Sequence, residues 1–175
     1  MTMSVVKLLS RIEAPDVQEV KTTLHDHTYG ITSDPLCRFA IVFSALVHDV
    51  DHSGVPNSTL MEECDPLTRA YKNKSVAEQN SIEIAWNLLL GPEFSNLRQQ
   101  IYTSKEEYHR FRQLVVNSVL ATDIVDKDLK TLRNERWAKA FDPTADQGSR
   151  EAINRKATIV IEHLIQASDV AHTMQ

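Results

Sequence analysis

The chain has 175 residues, of which 42% are hydrophobic and 25% charged, so it is long enough and apolar enough for one globular domain with a core. Its formal net charge of -5 argues against a nucleic-acid polymer as partner, because neutralising a phosphate backbone requires clustered Lys and Arg. Apolar runs are all too short for a membrane span, so we expect no direct membrane contact from this chain.

Two cysteines, Cys37 and Cys64, are too few for a disulfide framework and lack the paired spacing of a structural zinc site. We expect both to be free thiols in a reducing compartment. Lys7 and Arg11 interrupt the apolar residues of the N-terminal stretch, which therefore does not read as a secretory signal. These features predict a cytoplasmic location.

Apolar residues recur at three- and four-residue spacing and strand-like alternation is almost absent, which predicts an all-α fold, a compact multi-helix bundle. Gly and Pro residues separate the predicted elements. The segment FAIVFSALV at 39–47 is apolar on every side, so we expect it to be buried all round at the centre of the bundle. In chain order, the predicted helices are 2–12, 37–52, 75–90, 105–123, 127–140 and 151–172.

Three apolar runs each end in an acid, at Asp49, Asp123 and Asp169. Counting back by three and four residues from Asp123 and Asp169 meets mainly apolar side chains, so we expect these acids to face the core. A buried carboxylate must be protonated, paired with a cation or bound to a metal. A metal is the economical countercharge, because no Lys or Arg lies on the matching faces. Buried capping or salt-bridged acids are the alternative.

The pentapeptide HDVDH at 48–52 places His48 beside Asp49 and a second histidine, His52, four residues from the first. Imidazole and carboxylate together suit a borderline cation such as zinc. The spacing is also that of the metalloprotease HExxH helix, with Asp in place of Glu. We disfavour a protease, because Asp49 is one methylene too short and Gly54 with Pro56 would end the helix.

In order and spacing, these residues resemble the class I 3′,5′-cyclic-nucleotide phosphodiesterases, whose pattern is HDxDHxGxxN, then Ser/Thr-x-x-Glu, then ATD and a late Asp. The amino-acid sequences of two helical segments resemble those of phosphodiesterase domains from diatoms and related algae. The resemblance implies a bundle of the HD/phosphodiesterase type that hydrolyses cyclic AMP or cyclic GMP, its cyclic-nucleotide partner, to the 5′-monophosphate. The matching segments are HDVDHSGVPN at 48–57, SVAE at 75–78, ATD at 121–123 and ASD at 167–169.

The resemblance also implies two divalent metal ions as cofactors. His48, Asp49 and Asp169 would bind the first, usually zinc, and Asp49 would bridge to the second, usually magnesium, with manganese as its substitute. The catalytic residues His52 and Glu78 would act mainly through waters on the second metal.

Further roles follow from the resemblance for four more residues. Thr122, also through water, and Asp123 would support the metal centre from behind. Asn57 and Tyr71 would face the substrate.

The sequence departs from the family pattern in several places. It lacks the HNxxHA motif, which supplies a proton donor and a further zinc ligand, and the helices that would grip the base. We therefore expect residues 1–175 to be part of a catalytic domain, with weak or no activity alone, from a parent that could carry membrane or regulatory domains. His25 and His27 are poor replacements for the absent ligand, because their loop is polar. Gln79 and Asn80 stand where many relatives have histidines.

Two alternatives stay open at this stage. One is an HD-type nucleotide phosphohydrolase of a different class, which would share the His-Asp pair and the helical bundle. The other is a catalytically inert regulatory or binding fragment that retains metal contacts.

Overall fold

The computed structural model describes residues 1–12, 28–63, 66–144 and 148–171. Within these ranges there are nine α-helices, one 3-10 turn at Pro92–Phe94 and no β-strand, which confirms the all-α prediction. None of these helices is both long and apolar enough to cross a membrane. They are α1 (Thr2–Leu9), α2 (Pro35–Val47), α3 (Asn57–Glu62), α4 (Pro66–Ala70), α5 (Val76–Leu90), α6 (Ser95–Ile101), α7 (Lys105–Leu120), α8 (Lys127–Ala140) and α9 (Arg150–Val170).

Several helices end earlier than predicted, and two of these differences concern the motifs. Helix α2 ends at Val47 and not at residue 52, and α7 ends at Leu120 and not at residue 123. After α2 the chain turns, with the Val50 N–H donating to the Val47 carbonyl, and Asp51 has a φ of 61°. The HDVDH and ATD residues therefore lie in the turns that follow helices, which frees their backbone to aim side chains in several directions.

Local signals explain where the long helices begin. Asp34 accepts hydrogen bonds from the backbone N–H groups of Leu36 and Cys37, and Pro35 occupies the first position of α2. A capping box of Ser104 and Glu107 starts α7. Helices α3, α4 and α6 were not predicted, because segments of five to seven residues carry too few turns for a periodic signal.

Helix α2 is the centre of the bundle, as predicted, because its two faces belong to two separate core clusters. Cys37, Ile41 and Ala45 pack with residues of α1 and α9. Ala40 and Val47 pack with residues of α5 and α7. Burial all round was wrong, since Phe39 is 39% exposed and Leu46 is 67% exposed.

Aromatic side chains fill the second cluster, and Phe111 of α7 lies at their centre with no exposed surface. Its ring lies 5.7 Å from the ring of Phe43, 5.8 Å from Trp86 and 5.9 Å from Phe39. Offset and tilted pairs at these distances add to the stabilisation from apolar burial. Packing around Phe111 therefore fixes α2, α5 and α7 relative to one another.

We expect Phe111→Ala to lower the free energy of unfolding by about 3–5 kcal/mol, because it empties a fully buried site. Leu46→Ala, the matched control on the exposed face of α2, should change it by no more than about 0.5 kcal/mol. Urea denaturation followed by circular dichroism measures both. Equal losses for the two variants would contradict the packing described.

Candidate functional site

His48 closes the C-terminal end of α2 and is held by the backbone of its own helix. Its Nδ1–H donates to the Ala45 carbonyl at 3.1 Å, so Nε2 carries the lone pair of the neutral ring. That Nε2 atom lies 3.0 Å from Oδ2 of Asp49 and 3.3 Å from Oδ1 of Asp169. The end of α2, the following turn and the end of α9 thus bring the three residues together.

The three acids differ in burial. The side chain of Asp49 is 62% exposed and that of Asp169 is 32% exposed, whereas Asp123 is only 6% exposed. The expectation that Asp123 and Asp169 face the core is confirmed for Asp123 and only in part for Asp169. Asp169, still within α9, lies at the edge of its buried face.

Ligand atoms from His48, Asp49 and Asp169 all lie within 4.8 Å of one another. Nε2 of His48 is buried and makes no hydrogen bond of acceptable geometry to any described residue, although two carboxylate oxygens face it. Burial opposes the charged ring, but Asp169, Asp49 and the Ala45 carbonyl outweigh it and raise the pKa of His48. A lone pair facing two carboxylates requires a cation, so the residues fit a divalent metal ion.

Asp123 is buried, yet hydrogen bonds and not a metal satisfy its carboxylate. Ser75 donates to Oδ2 at 2.8 Å and Asn57 donates to the same oxygen at 3.3 Å. Two backbone N–H groups, those of Val125 and Asp126, donate to Oδ1 at 3.2 and 3.1 Å. The buried-acid argument for a metal therefore fails for Asp123, since these donors replace its hydration.

Asn57, at the start of α3, links Asp123 to Glu78 on α5. The same Nδ2 donates to Oε2 of Glu78 at 2.9 Å, and Oδ1 accepts the Ala77 N–H at 2.9 Å. Both ends of the amide are thus engaged by the protein. The geometry supports a positioning role for Asn57, and its contact with a substrate stays a prediction.

Glu78 lies half-buried between these partners. Burial is the largest effect and raises the pKa of its carboxyl, helped by the charge of Asp123, while the hydrogen bond from Asn57 and the nearby His52 lower it. The net result is a carboxyl whose proton affinity is greater than usual. Such a carboxyl takes up a proton more readily than an ordinary one, a property shared by the proton-carrying groups of many active sites.

Two residues of α5 hold the turn that carries the HDVDH motif. Ser81, with no exposed surface, donates to the Val50 carbonyl at 2.7 Å, and Asn80 donates to Asp51 at 3.2 Å. His52 is exposed and its Nδ1 accepts the Gly54 N–H at 3.0 Å. Because no helix runs from His48 to His52, the HExxH geometry of a metalloprotease is absent from this segment.

The remaining predicted residues lie in two other environments. Thr122 follows α7 and its hydroxyl donates to the Val119 carbonyl at 2.7 Å. Tyr71 donates to Glu83 at 2.5 Å and lines a cleft between α5 and α7, together with Trp86 and Arg112. None of the residues lining that cleft is a predicted metal ligand. The predicted contact of Tyr71 with substrate therefore gains no support from this geometry.

The sequence did not identify Ser81 as a residue that holds the turn carrying the HDVDH motif. A serine within an amphipathic helix gives no signal of its own in a single sequence, since only the partner carbonyl identifies it. His25, His27, Cys64 and Pro15 lie outside the described residues. Cys37 is a free thiol, as predicted, and burial raises its pKa to about 11.

Together, the helical bundle and the His48–Asp49–Asp169 group define an all-α domain with a candidate divalent-metal centre. A profile of the family described as 3′5′-cyclic nucleotide phosphodiesterase matches residues 14–175. The chain belongs to this family, which confirms the resemblance seen in its motifs. The finer resemblance to diatom and algal domains stays a prediction.

Two curated relatives illustrate the similarity. Over 86 residues the chain is 36% identical to the dual specificity calcium/calmodulin-dependent 3′,5′-cyclic nucleotide phosphodiesterase 1C of Homo sapiens, a match that covers 49% of this chain and 12% of that protein. It is 36% identical over 98 residues to the probable 3′,5′-cyclic-AMP phosphodiesterase pde-4 of Caenorhabditis elegans, covering 53% and 14%. The matches therefore span about an eighth of these relatives.

A solved structure shares the fold. The phosphodiesterase domain of the rhodopsin phosphodiesterase of Salpingoeca rosetta superimposes with a TM-score of 0.66 at 20% identity, over 98% of this chain and 54% of that one. At this identity the likeness shows the fold alone. The chain corresponds to about half of the solved domain.

Glu78→Gln should change how stability depends on pH. Because the folded carboxyl has a pKa above its usual 4.5, the folded state binds more protons than the unfolded state above that pH, and the wild type loses stability as pH rises. Gln has no charge to desolvate and keeps an oxygen for the Asn57 amide. We expect the variant to gain stability relative to the wild type as pH rises through this window.

Urea denaturation at a series of pH values, in the presence of a chelator, measures the difference. Glu135→Gln makes the same change at an exposed position of α8 and should follow the wild-type curve. Parallel curves for Glu78→Gln and the wild type would refute the raised pKa.

Proposed function

We propose that the protein hydrolyses 3′,5′-cyclic nucleotides, cyclic AMP or cyclic GMP, to the 5′-monophosphates. The observation that carries this proposal is the convergence of His48, Asp49 and Asp169 within 4.8 Å in a chain of the cyclic nucleotide phosphodiesterase family. In the reaction a water oxygen bonds to phosphorus, the bond to the 3′ oxygen breaks, and a proton from the water passes to that oxygen. The relatives described above carry this activity in their names.

In this proposal His48, Asp49 and Asp169 hold a zinc ion, and Asp49 also contributes to a site for magnesium or manganese. A nitrogen ligand beside carboxylates suits zinc, whereas an exposed carboxylate with room for water suits magnesium. When bound, the ions supply Lewis-acid activation of water and neutralise the charge of the phosphodiester. The hydrogen bond from the Nδ1–H of His48 to the Ala45 carbonyl orients the ring so that Nε2 faces this centre.

The other residues of the site bind and orient. Glu78, fixed by Asn57, presents a carboxyl of raised proton affinity that can accept a hydrogen bond from the attacking water. His52 accepts the Gly54 N–H at Nδ1, so its proton lies on Nε2, where it can be donated to a phosphate oxygen. Thr122 and Asp123 stabilise the turn behind Glu78.

We further propose that residues 1–175 form part of a catalytic domain that lies in the cytosol, where cyclic nucleotides are the substrate. The chain corresponds to about half of the solved domain. Zinc usually takes four ligands, so a further ligand would come from beyond His48, Asp49 and Asp169.

Asp169→Asn keeps the volume of the side chain but removes the charge that faces His48. We expect it to weaken zinc binding and to lower kcat for cyclic AMP and cyclic GMP at least about 100-fold, because it removes a ligand of the centre. Hydrolysis is measured by phosphate release after an added 5′-nucleotidase cleaves the 5′-monophosphate, using the longest native form of the protein that contains this chain, with the 175-residue chain in parallel.

Glu135→Gln, an acid on the exposed face of α8, is the control and should retain parental turnover. Parental activity in Asp169→Asn would show that the metal assignment is wrong. Metal binding without any hydrolysis by either form would instead identify a regulatory or binding module.

A further inference from the structure

The turn after α7 is held from behind by two side chains from the last two helices. Arg133 of α8 donates from Nη1 to the Ala121 carbonyl at 3.1 Å and from Nη2 to the Asp123 carbonyl at 2.8 Å. Gln166 of α9 donates to the same Ala121 carbonyl at 2.8 Å. The two carbonyls on either side of Thr122 are therefore fixed by one guanidinium and one amide.

This contact joins the two halves of the candidate site. On one side, the carboxylate of Asp123 receives hydrogen bonds from Ser75 and Asn57, and Asn57 also holds Glu78. On the other side, Gln166 lies one helical turn before Asp169, a predicted metal ligand on the same helix. A displacement of the Ala121–Asp123 turn would thus alter the position of Glu78 relative to Asp169.

We infer that Arg133 and Gln166 are positioning residues, which act through the Ala121–Asp123 turn to hold the Glu78 half of the site in register with the metal ligands on α9. The inference deepens the proposed function and rests on it for the catalytic consequence. Arg is suited to this task, because its planar fork can reach two carbonyls at once, whereas the ammonium of Lys acts as a single point donor. Donation from a charged group also makes these contacts stronger than neutral ones.

Helix α8 offers a matched comparison one turn further along. Arg136 forms an ion pair at 2.9 Å with Glu162, which is only 4% exposed, and none of its hydrogen bonds reaches the Ala121–Asp123 turn. Removing either arginine deletes a cation that bonds to the turn after α7 or to α9, although Arg133 is half-buried and Arg136 is exposed. Only the loss of Arg133 should affect the site.

The first measurement needs no metal. Uniformly ¹⁵N-labelled protein gives separate resonances for the side-chain amide of Asn57 and for the backbone amides of Val125 and Asp126, which bond to Asp123. In Arg133→Met and Gln166→Leu we expect these resonances to shift and these backbone amides to exchange faster with solvent. Arg136→Met should lower the melting temperature but leave the same resonances in place. Arg133→Lys should give an intermediate shift.

The second measurement is the affinity for Mn²⁺ alone, followed by electron paramagnetic resonance. We expect Arg133→Met to weaken binding about tenfold, as loss of a supporting hydrogen bond behind metal ligands does elsewhere. Arg133→Lys should recover part of the loss and Arg136→Met should bind as the wild type. In turnover assays Arg133→Met and Gln166→Leu should lower kcat with little change in KM, since neither residue contacts substrate in this proposal, whereas Arg136→Met should turn over as the wild type.

Unchanged Asn57, Val125 and Asp126 resonances in both Arg133→Met and Gln166→Leu would overturn the inference, as would equal effects of Arg133→Met and Arg136→Met. If Arg133→Met does not fold, Gln166→Leu and Arg133→Lys decide the matter by the same resonances. If the longest native form of the protein binds Mn²⁺ but hydrolyses no cyclic nucleotide, the proposed function is refuted, while the amide and Mn²⁺ measurements still decide the positioning role.

Discussion

The fixed ring of His48 is the constraint on which the site depends. Its Nδ1–H is committed to the Ala45 carbonyl, so Nε2 faces the carboxylates of Asp49 and Asp169 with a lone pair. The ligand oxygens of Asp49 and Asp169 lie within 4.8 Å of each other. Two negative charges about 4 Å apart repel each other by roughly 1 to 4 kcal/mol, and the exposure of Asp49 to water brings this repulsion toward the lower figure. The arrangement is stable with a cation among the three ligands, as a proton on His48 or as a metal. The side chains at the end of α2 therefore favour binding of a cation, and packing around α2 keeps them in place.

The other half of the site is built on the opposite principle. Asp123 is more deeply buried than either carboxylate beside His48, but four donors surround it and leave no need for a metal. The side-chain amide of Asn57 donates to both Asp123 and Glu78 and so holds Glu78 in the same network. A rigid, satisfied network thus lies beside an open, charged one. This division suits the proposed function, since satisfied hydrogen bonds hold Glu78 in place while the exposed carboxylates stay open to a metal.

The sequence predicted the long helices and the order of the motifs, and the side chains of α7 and α9 show the 3.6-residue periodicity on which such a prediction rests. It could not predict where α2 ends, since Val47, His48 and Asp49 all tolerate a helix and the turn is decided by contacts from α5. Motif matching found Asp123 and Asn57, but only the fold shows that they bond to each other. Arg133 and Ser81 gave no signal in the sequence, because their partners are backbone carbonyls 10 and 31 residues away.

The substitution of Gln79 and Asn80 for histidines also has a physical reading. Asn80 donates to Asp51 at 3.2 Å, and Gln79 donates to the Lys74 carbonyl at 2.5 Å, so both amides act as anchors of the neighbouring turns. An amide provides a donor of fixed charge, whereas an imidazole in the same place would gain and lose a proton near neutral pH. Asp51, held at a φ of 61°, therefore has a partner whose own charge does not change with pH. In the proposed function, proton exchange on this side of the HDVDH turn would fall to Glu78, which lies two residues before Asn80 and close to His52.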